Sequence, residues 1–390
     1  MNRMIPLSVP NLKGNELKYV TDAVNTEWVS TGGSYIRKFE ENMVHYLKVD
    51  QAVACQSGTA GIHLALKLCD VQTKDEVIVP TLTFIAAVNP VRYVGAEPVF
   101  MDCDDTLNMD LDKVEEFLEY ECKLTNEGTV NKKTNKVIKA IVIVHVFGNM
   151  VNMEKIMKIA SKYNLKVIED ATEALGTYCT SGTYSGKFAG TIGDFGVYSF
   201  NGNKIITTGG GGMLVGKKKE LMDRAKYLST QAKDDELYYT HNHVGFNYRM
   251  TNLQAALGVA QLEMLEDFIE TKTLNYNLYK KEIEKIDGLR VLDVNKNTRP
   301  NFWFYALVID SSKYGLNRDE LLHELQEVKI QTRPIWGLIH EQMPYKENQA
   351  YKIEKANKYI DSILNIPCST NLKSEDVNIV TKKLTHLKRG

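Results

Sequence analysis

Long apolar runs are missing from this 390-residue chain. Its most apolar stretch, VIKAIVIVHVFG (137–148), has the length of a strand and falls short of the roughly 18–20 residues a membrane helix needs. An excess of charge is missing too: 48 Lys and Arg stand against 49 Asp and Glu, a net of −1. No basic surplus is available for a polyanion or an anionic membrane surface, so neither a nucleic acid nor a membrane is expected as partner. Cysteine is sparse and scattered, at Cys55, Cys69, Cys103, Cys122, Cys179 and Cys368, with no C-x-x-C pair. That spacing argues against a disulfide framework and a structural zinc site, and reduced thiols with a cytoplasmic location are expected instead. The opening MNRMIPLSVPNLKG lacks the apolar core of a secretory leader, and none is expected. H-x-H spacing occurs once (241–243) without a third ligand nearby, so no metal is expected. Three further absences narrow the chemistry. There is no G-x-x-x-x-G-K-[ST] phosphate loop, no G-x-G-x-x-G after the first strand, and no G-x-S-x-G elbow.

What is present is an ordinary globular composition, 43% hydrophobic and 25% charged, in a chain long enough for two domains. Helical periodicity over 15–25 and 35–48 gives way to alternation of short apolar runs with amphipathic segments. Strands are predicted at 51–55, 75–80, 97–102, 139–147 and 166–170, with helices at 59–69, 84–93, 110–122 and 152–163 between them. Such alternation predicts a mainly parallel sheet covered on both faces. Two or three shorter strands over 194–216 and a helix over 217–229 follow, and the polar 123–137 reads as an exposed excursion. A long helix over 251–287 reads as a connector into a smaller α+β unit. There NFWFYALVI (301–309) and VKIQTRPIW (328–336) are predicted strands and 317–327 a helix. The expected division is 1–265 and 266–390.

Several segments fall at strand-to-loop boundaries, where open α/β sheets place ligands. In CQSGTAG (55–61), Ser57, Gly58 and Thr59 open a helix, either as a plain N-cap or as a site for an anion. In VIEDATEALG (167–176), Asp170 ends an apolar strand, where a carboxylate is costly without a cation or strong donor, and Glu173 follows a turn later. In SFNGNKIITTGGGG (199–212), Ser199 and Asn201 precede Lys204 in a glycine-rich turn. An amine there becomes nucleophilic if burial lowers its pKa, and glycines would let backbone approach a flat cofactor. The alternative is a flexible hairpin with an exposed lysine. VGFNYRMTNLQAALG (244–258) carries Asn247 and Arg249, and TRPIWGLIHEQMPY (332–345) carries Arg333, His340 and Tyr345.

Taken in order, SGT, E-D-A-x-E-A-x-G, S-F-N-x-x-K-x-x-T-T-G-G-G-G and G-F-N-Y-R-M resemble the DegT/DnrJ/EryC1/StrS family of pyridoxal-phosphate-dependent sugar aminotransferases, end to end. The resemblance implies an aspartate-aminotransferase (type I) fold. That fold is α/β, with a large domain around a mainly parallel mixed sheet and a smaller C-terminal α+β domain. It implies that Lys204 forms the Schiff base and shuttles the proton, while Asp170 pairs with the pyridinium nitrogen. Gly58, Thr59 and Ser199 would bind the phosphate of pyridoxal 5'-phosphate, with Ser57, Asn201 and Glu173 among the cofactor contacts and Phe84 over one ring face. Asn247 would arrive from a second copy of the chain, making a homodimer. Two positions depart from the common pattern: Glu173 stands where many relatives have Gln or His, and Gly210 where many have Glu. The combination most resembles the branch acting in legionaminic acid and bacillosamine-like pathways. It implies L-glutamate as donor and a UDP-4-keto-6-deoxy-N-acetylhexosamine as acceptor; another nucleotide-linked keto sugar is the alternative within the family, and a non-catalytic regulator on this fold the alternative outside it. Thr31, Gly32, Arg333, His340 and Tyr345 are candidate wall residues for that nucleotide sugar.

Overall fold

The computed structural model describes residues 3–235 and 237–389. Helices α1 (Glu16–Asn25) and α2 (Ser34–Leu47) lead into β1 (Ala52–Cys55), α3 (Gly58–Leu68), β2 (Glu76–Pro80), α4 (Asn89–Tyr93) and β3 (Glu97–Met101). Next come α5 (Leu111–Tyr120), β4 (Cys122–Thr125), β5 (Gly128–Asn131), β6 (Val137–Val144), α6 (Met153–Lys162) and β7 (Lys166–Asp170). A short β8 (Tyr178–Cys179) precedes β9 (Phe195–Ser199), β10 (Gly212–Gly216) and α7 (Lys219–Ser229). Helices α8 (Asn252–Glu263) and α9 (Leu265–Ile283) carry the chain to β11 (Leu289–Val291), β12 (Thr298–Arg299) and β13 (Tyr305–Ile309). The C-terminal part holds α10 (Ser311–Tyr314), α11 (Arg318–Glu327), β14 (Arg333–Pro334), β15 (Ala350–Tyr351), α12 (Lys355–Ile360), β16 (Ile363–Ile366) and α13 (Ser374–Leu387).

The large sheet runs β1-β10-β9-β7-β6-β2-β3-β15. Along that path only β10 is antiparallel to its neighbours. Its central strands are mostly apolar and mostly buried: β2, for instance, is covered at all five positions, as expected where helices pack on both faces. Because β1, β7 and β9 run the same way, Cys55, Asp170 and Ser199 finish at one edge of the sheet. Antiparallel β10 starts there, at Gly212 opposite both Cys55 and Ser199.

A smaller antiparallel sheet, β11-β13-β16-β14, belongs to the C-terminal part. Its core cluster takes in Ile5, whose N–H donates to Lys329 O at 2.9 Å, so the N-terminal segment packs with the smaller sheet. Conversely, β15 crosses back to pair in parallel with β3.

Several sequence expectations need correction. The polar excursion over 123–137 contains the β4–β5 hairpin, and β5 is buried because it pairs with the start of β6. The connector is two helices, broken at Met264, whose φ −100° and ψ −1° interrupt the helical ladder. Of NFWFYALVI only 305–309 pairs as a strand, and VKIQTRPIW contributes just Arg333–Pro334. All six cysteines are free. Among the described residues no helix is long and apolar enough to cross a membrane.

Candidate active site

The shared edge of β1, β7 and β9 opens into a cavity of about 530 Å³. Three short loops build its floor. Ser57 caps α3, its hydroxyl accepting from the Ala60 N–H at 3.1 Å, while Gly61 N–H goes to Ser57 O at 3.2 Å. The first four N–H groups of a helix lack intrahelical acceptors, so those of Gly58 and Thr59 remain open at the positive end of α3. Gly212 lets β10 lie against this turn, since a Cβ there would stand 2.5 Å from Ser57 C and O and 2.7 Å from Gly58 N.

Asp170 and Glu173 come from the end of β7 and the turn after it. Both are buried, at 4% and 3% exposure. Thr172 N–H donates to Asp170 Oδ1 at 3.0 Å, and Phe147 N–H to Glu173 Oε2 at 2.8 Å. Burial pushes the Asp170 carboxyl up, opposed by the Thr172 hydrogen bonds and the Lys204 charge. Burial also raises Glu173, from 4.5 to about 7, against the pull of Lys204 and the Phe147 N–H. The neighbouring Glu169 points the other way. Against its own burial, His145 and the N–H groups of Gly193 and Gly190 hold it below the usual carboxylate range. His145 accepts from Val151 N–H at Nδ1, so its Nε2 proton faces Glu169 Oε2 at 3.0 Å. This pair braces the strand end beneath Asp170.

Lys204 reaches the cavity from the loop between β9 and β10. Its Nζ lies 3.7 Å from Glu173 Oε1 and 3.9 Å from the centre of the Trp303 ring. Burial pulls the amine below the ordinary lysine range, and the charges of Glu173 and Asp170 oppose that. An amine whose burial lowers its proton affinity, set between an acid and an indole face, gives up its proton more readily than an exposed lysine does. The opposite wall is aromatic: Trp303, Phe304 and Trp336 face in from the C-terminal part. Trp303 is fixed there by its indole N–H, which donates to Asn203 O at 2.7 Å, and by Asn301 Oδ1 accepting from its backbone N–H at 3.0 Å.

Ser57, Gly58, Thr59, Phe84, Asp170, Glu173, Ser199, Asn201, Lys204 and Arg333 all line this one cavity. Asn247 does not. It is exposed, and its Oδ1 accepts from Gln231 Nε2 at 3.1 Å. Arg249 in the same segment pairs with the buried Glu40 at 2.6 Å, tying that loop to α2. Thr31 and Gly32 are exposed on a separate loop that Asn252 holds through Ser30 O and Trp28 O. His340 stands outside the cavity, Nδ1 2.6 Å from the Thr81 hydroxyl. Tyr345 is buried, donating to Asn89 Oδ1 at 2.6 Å and packed edge-on against Phe100. Neither of these two lines the cavity. His241 and His243 turn to Gln231 O and Tyr227, and no cluster of metal-ligating side chains forms among the described residues.

Trp303, Phe304, Trp336 and Asn365 were not singled out from the sequence. Their segments read as strands or breaks, and only the density of aromatics in NFWF and RPIW hints at a wall.

The residues fit pyridoxal phosphate. An open helix N-terminus with the Thr59 and Ser199 hydroxyls suits a phosphate, a buried carboxylate suits a protonated ring nitrogen, and the buried amine suits an aldehyde.

The comparisons agree. The DegT/DnrJ/EryC1/StrS aminotransferase family profile matches residues 10–385. GDP-perosamine synthase of Escherichia coli O157:H7 is 37% identical, covering 98% of each chain. The UDP-4-amino-4,6-dideoxy-N-acetyl-beta-L-altrosamine transaminase of Campylobacter jejuni is 29% identical, covering 98% of this chain and 96% of that one. The solved structure of DesI in the presence of its TDP-sugar product matches with a TM-score of 0.86 at 26% identity, over 100% of this chain and 94% of that one. A cavity with these groups at the edge of this sheet and a family match over nearly the whole length lead to one assignment: the chain belongs to the DegT/DnrJ/EryC1/StrS aminotransferases, pyridoxal-phosphate-dependent enzymes that act on sugars.

Proposed function

We propose that the protein moves an amino group from L-glutamate to C4 of a nucleotide-linked 4-keto-6-deoxyhexose. One observation carries the reading: a buried amine, Lys204, shares a cavity with two buried carboxylates and an open helix N-terminus. When bound, the cofactor supplies an electron sink that stabilises a carbanion beside the transferred nitrogen. The chain's own residues do the rest. Gly58, Thr59 and Ser199 hold the phosphate, and Asp170 holds the proton on the ring nitrogen. Lys204 would take the α-proton from glutamate and pass it to the cofactor side, and in the second half-reaction it would carry a proton the other way, onto C4 of the sugar; positioned acid–base groups of this kind are typically worth about 10²–10⁴-fold. Glu173 and the Trp303 face keep that amine in place. The aromatic wall excludes water from the reacting atoms.

The combination of EDATEALGT and SFNGNKIITTGGGGM supports a UDP-4-keto-6-deoxy-N-acetylhexosamine as acceptor. A second reading, a GDP-linked 4-keto sugar, is favoured by the 37% identity to a GDP-perosamine synthase. Incubation with glutamate and a panel of UDP-, GDP- and dTDP-keto sugars, with products weighed, separates them. One nucleotide should dominate, and equal turnover across the panel would overturn both specific readings. The working unit in this account is a homodimer. Exposed Asn247 does not reach the cavity of its own chain, which supports its contribution to the site of a second copy.

A further inference from the structure

Strand β16 alternates in an informative way. Leu364 and Ile366 point into the core of the smaller sheet, so Asn365 between them faces the other side, where it lines the cavity. It is central, paired with Ala306 of β13 and with Arg333 of β14, and residues directly opposite on paired strands share a face. Asn365 is 3% exposed. Its Oδ1 has no hydrogen-bond partner among the described residues. An apolar residue would be the default at a position so covered, and an unmatched buried acceptor is costly. Asn365 is also the one cavity-lining side chain with such an unpartnered atom among the described residues.

Resting on the amination reading above, we infer that Asn365 selects the sugar: Oδ1 accepts a hydrogen bond from a ring substituent of the keto hexose, a hydroxyl or an acetamido N–H. The two sources present the same donor chemistry. The α-ammonium of glutamate is the competing donor, and the two half-reactions tell them apart. A site built to accept such a bond discriminates strongly against a ligand that lacks the donor, because its own buried group is then left unpaired.

The test uses the holoenzyme and its Asn365→Leu and Asn365→Asp variants, each half-reaction being followed separately by the cofactor absorbance in single turnovers. For N365L, kcat/KM for the keto sugar falls roughly 5- to 150-fold, and the glutamate half-reaction falls by a clearly smaller factor, since glutamate makes no bond to Oδ1. N365D keeps the acceptor oxygen and retains more of the sugar half-reaction than N365L. The melting temperature of N365L stays at or above wild type, since the variant removes an unmatched polar atom. A panel of UDP-N-acetyl and GDP-linked keto sugars separates acetamido from hydroxyl donors, the larger N365L effect marking the source. Equal loss in both half-reactions, loss with glutamate alone, an unchanged sugar half-reaction, or a lowered melting temperature with no selectivity would each overturn the assignment. Wild-type enzyme that turns over glutamate but no keto sugar would overturn the amination reading as well, and that result appears before any variant is made.

Discussion

Exchanging Glu173 for glutamine removes a titrating group while keeping its shape and its ability to accept the Phe147 N–H. In the cofactor-free protein the carboxyl is pushed from 4.5 to about 7, chiefly by burial. Its folded-state pKa lies above its unfolded one, so the folded chain binds the extra proton between those values. Stability from this group is therefore full below about pH 4.5 and is lost as pH rises towards 7. At 1.36 kcal/mol per pH unit the loss is about 3 kcal/mol. Glutamine does not titrate, so the stability difference between E173Q and wild type should widen by that amount across the window and then level off. Groups not coupled to Glu173 cancel in the difference, and the nearest coupled one, Lys204, is removed in the Lys204→Ala background. With an unfolding entropy of about 2.1 cal/mol/K per residue, 3 kcal/mol corresponds to a relative rise of about 4 °C in the melting temperature of E173Q. Melting curves of both apo proteins from pH 4.5 to 8 supply the measurement. In a Lys204→Ala background the effect should grow, because the charge 3.7 Å away that lowers the Glu173 pKa is gone. A difference that stays flat with pH, or that shrinks as pH rises, would show that Glu173 is ionised throughout and would refute the reasoning.

Two further outcomes follow from the same geometry. Gly212→Ala places a Cβ 2.5 Å from the Ser57 backbone; opening the turn by enough to fit it should weaken pyridoxal phosphate binding roughly 5- to 150-fold, as expected for 1–3 kcal/mol of overpacking, and unchanged affinity in a fluorescence titration would contradict the cradle. Mixing inactive Lys204→Ala and Asn247→Ala chains under exchange should restore about a quarter of wild-type activity if each site draws on two copies of the chain, whereas no recovery would place Asn247 outside the partner's site.

Residues whose chemistry is local were legible in the sequence. Ser57 through Thr59, Asp170, Glu173, Ser199 and Lys204 sit where strands end, and the strand ends could be read from short apolar runs. Their convergence on one edge follows from β1, β7 and β9 being parallel. The wall opposite was not legible. NFWF looks like the start of a strand because aromatics favour strands, yet Asn301 turns the chain by accepting from Trp303 N–H and donating to Glu173 O and Leu175 O. That turn points Trp303 at Lys204 instead of continuing the ladder. His340 and Tyr345 lie outside this cavity. Polar tips near a turn resemble site residues, and here Thr81 and Asn89, more than 250 residues away in sequence, are their hydrogen-bond partners. Met264 splits the connector with no proline or glycine to announce it. Asn365 is visible only once the sheet shows which face of β16 it occupies.

The central claim is that the Lys204 amine carries the cofactor. Borohydride reduction of the holoenzyme followed by peptide mass analysis tests it directly. The account predicts a single reduced phosphopyridoxyl adduct, on the peptide containing Lys204, and none in the Lys204→Ala protein. An adduct on another lysine, or equal labelling of both proteins, would contradict it.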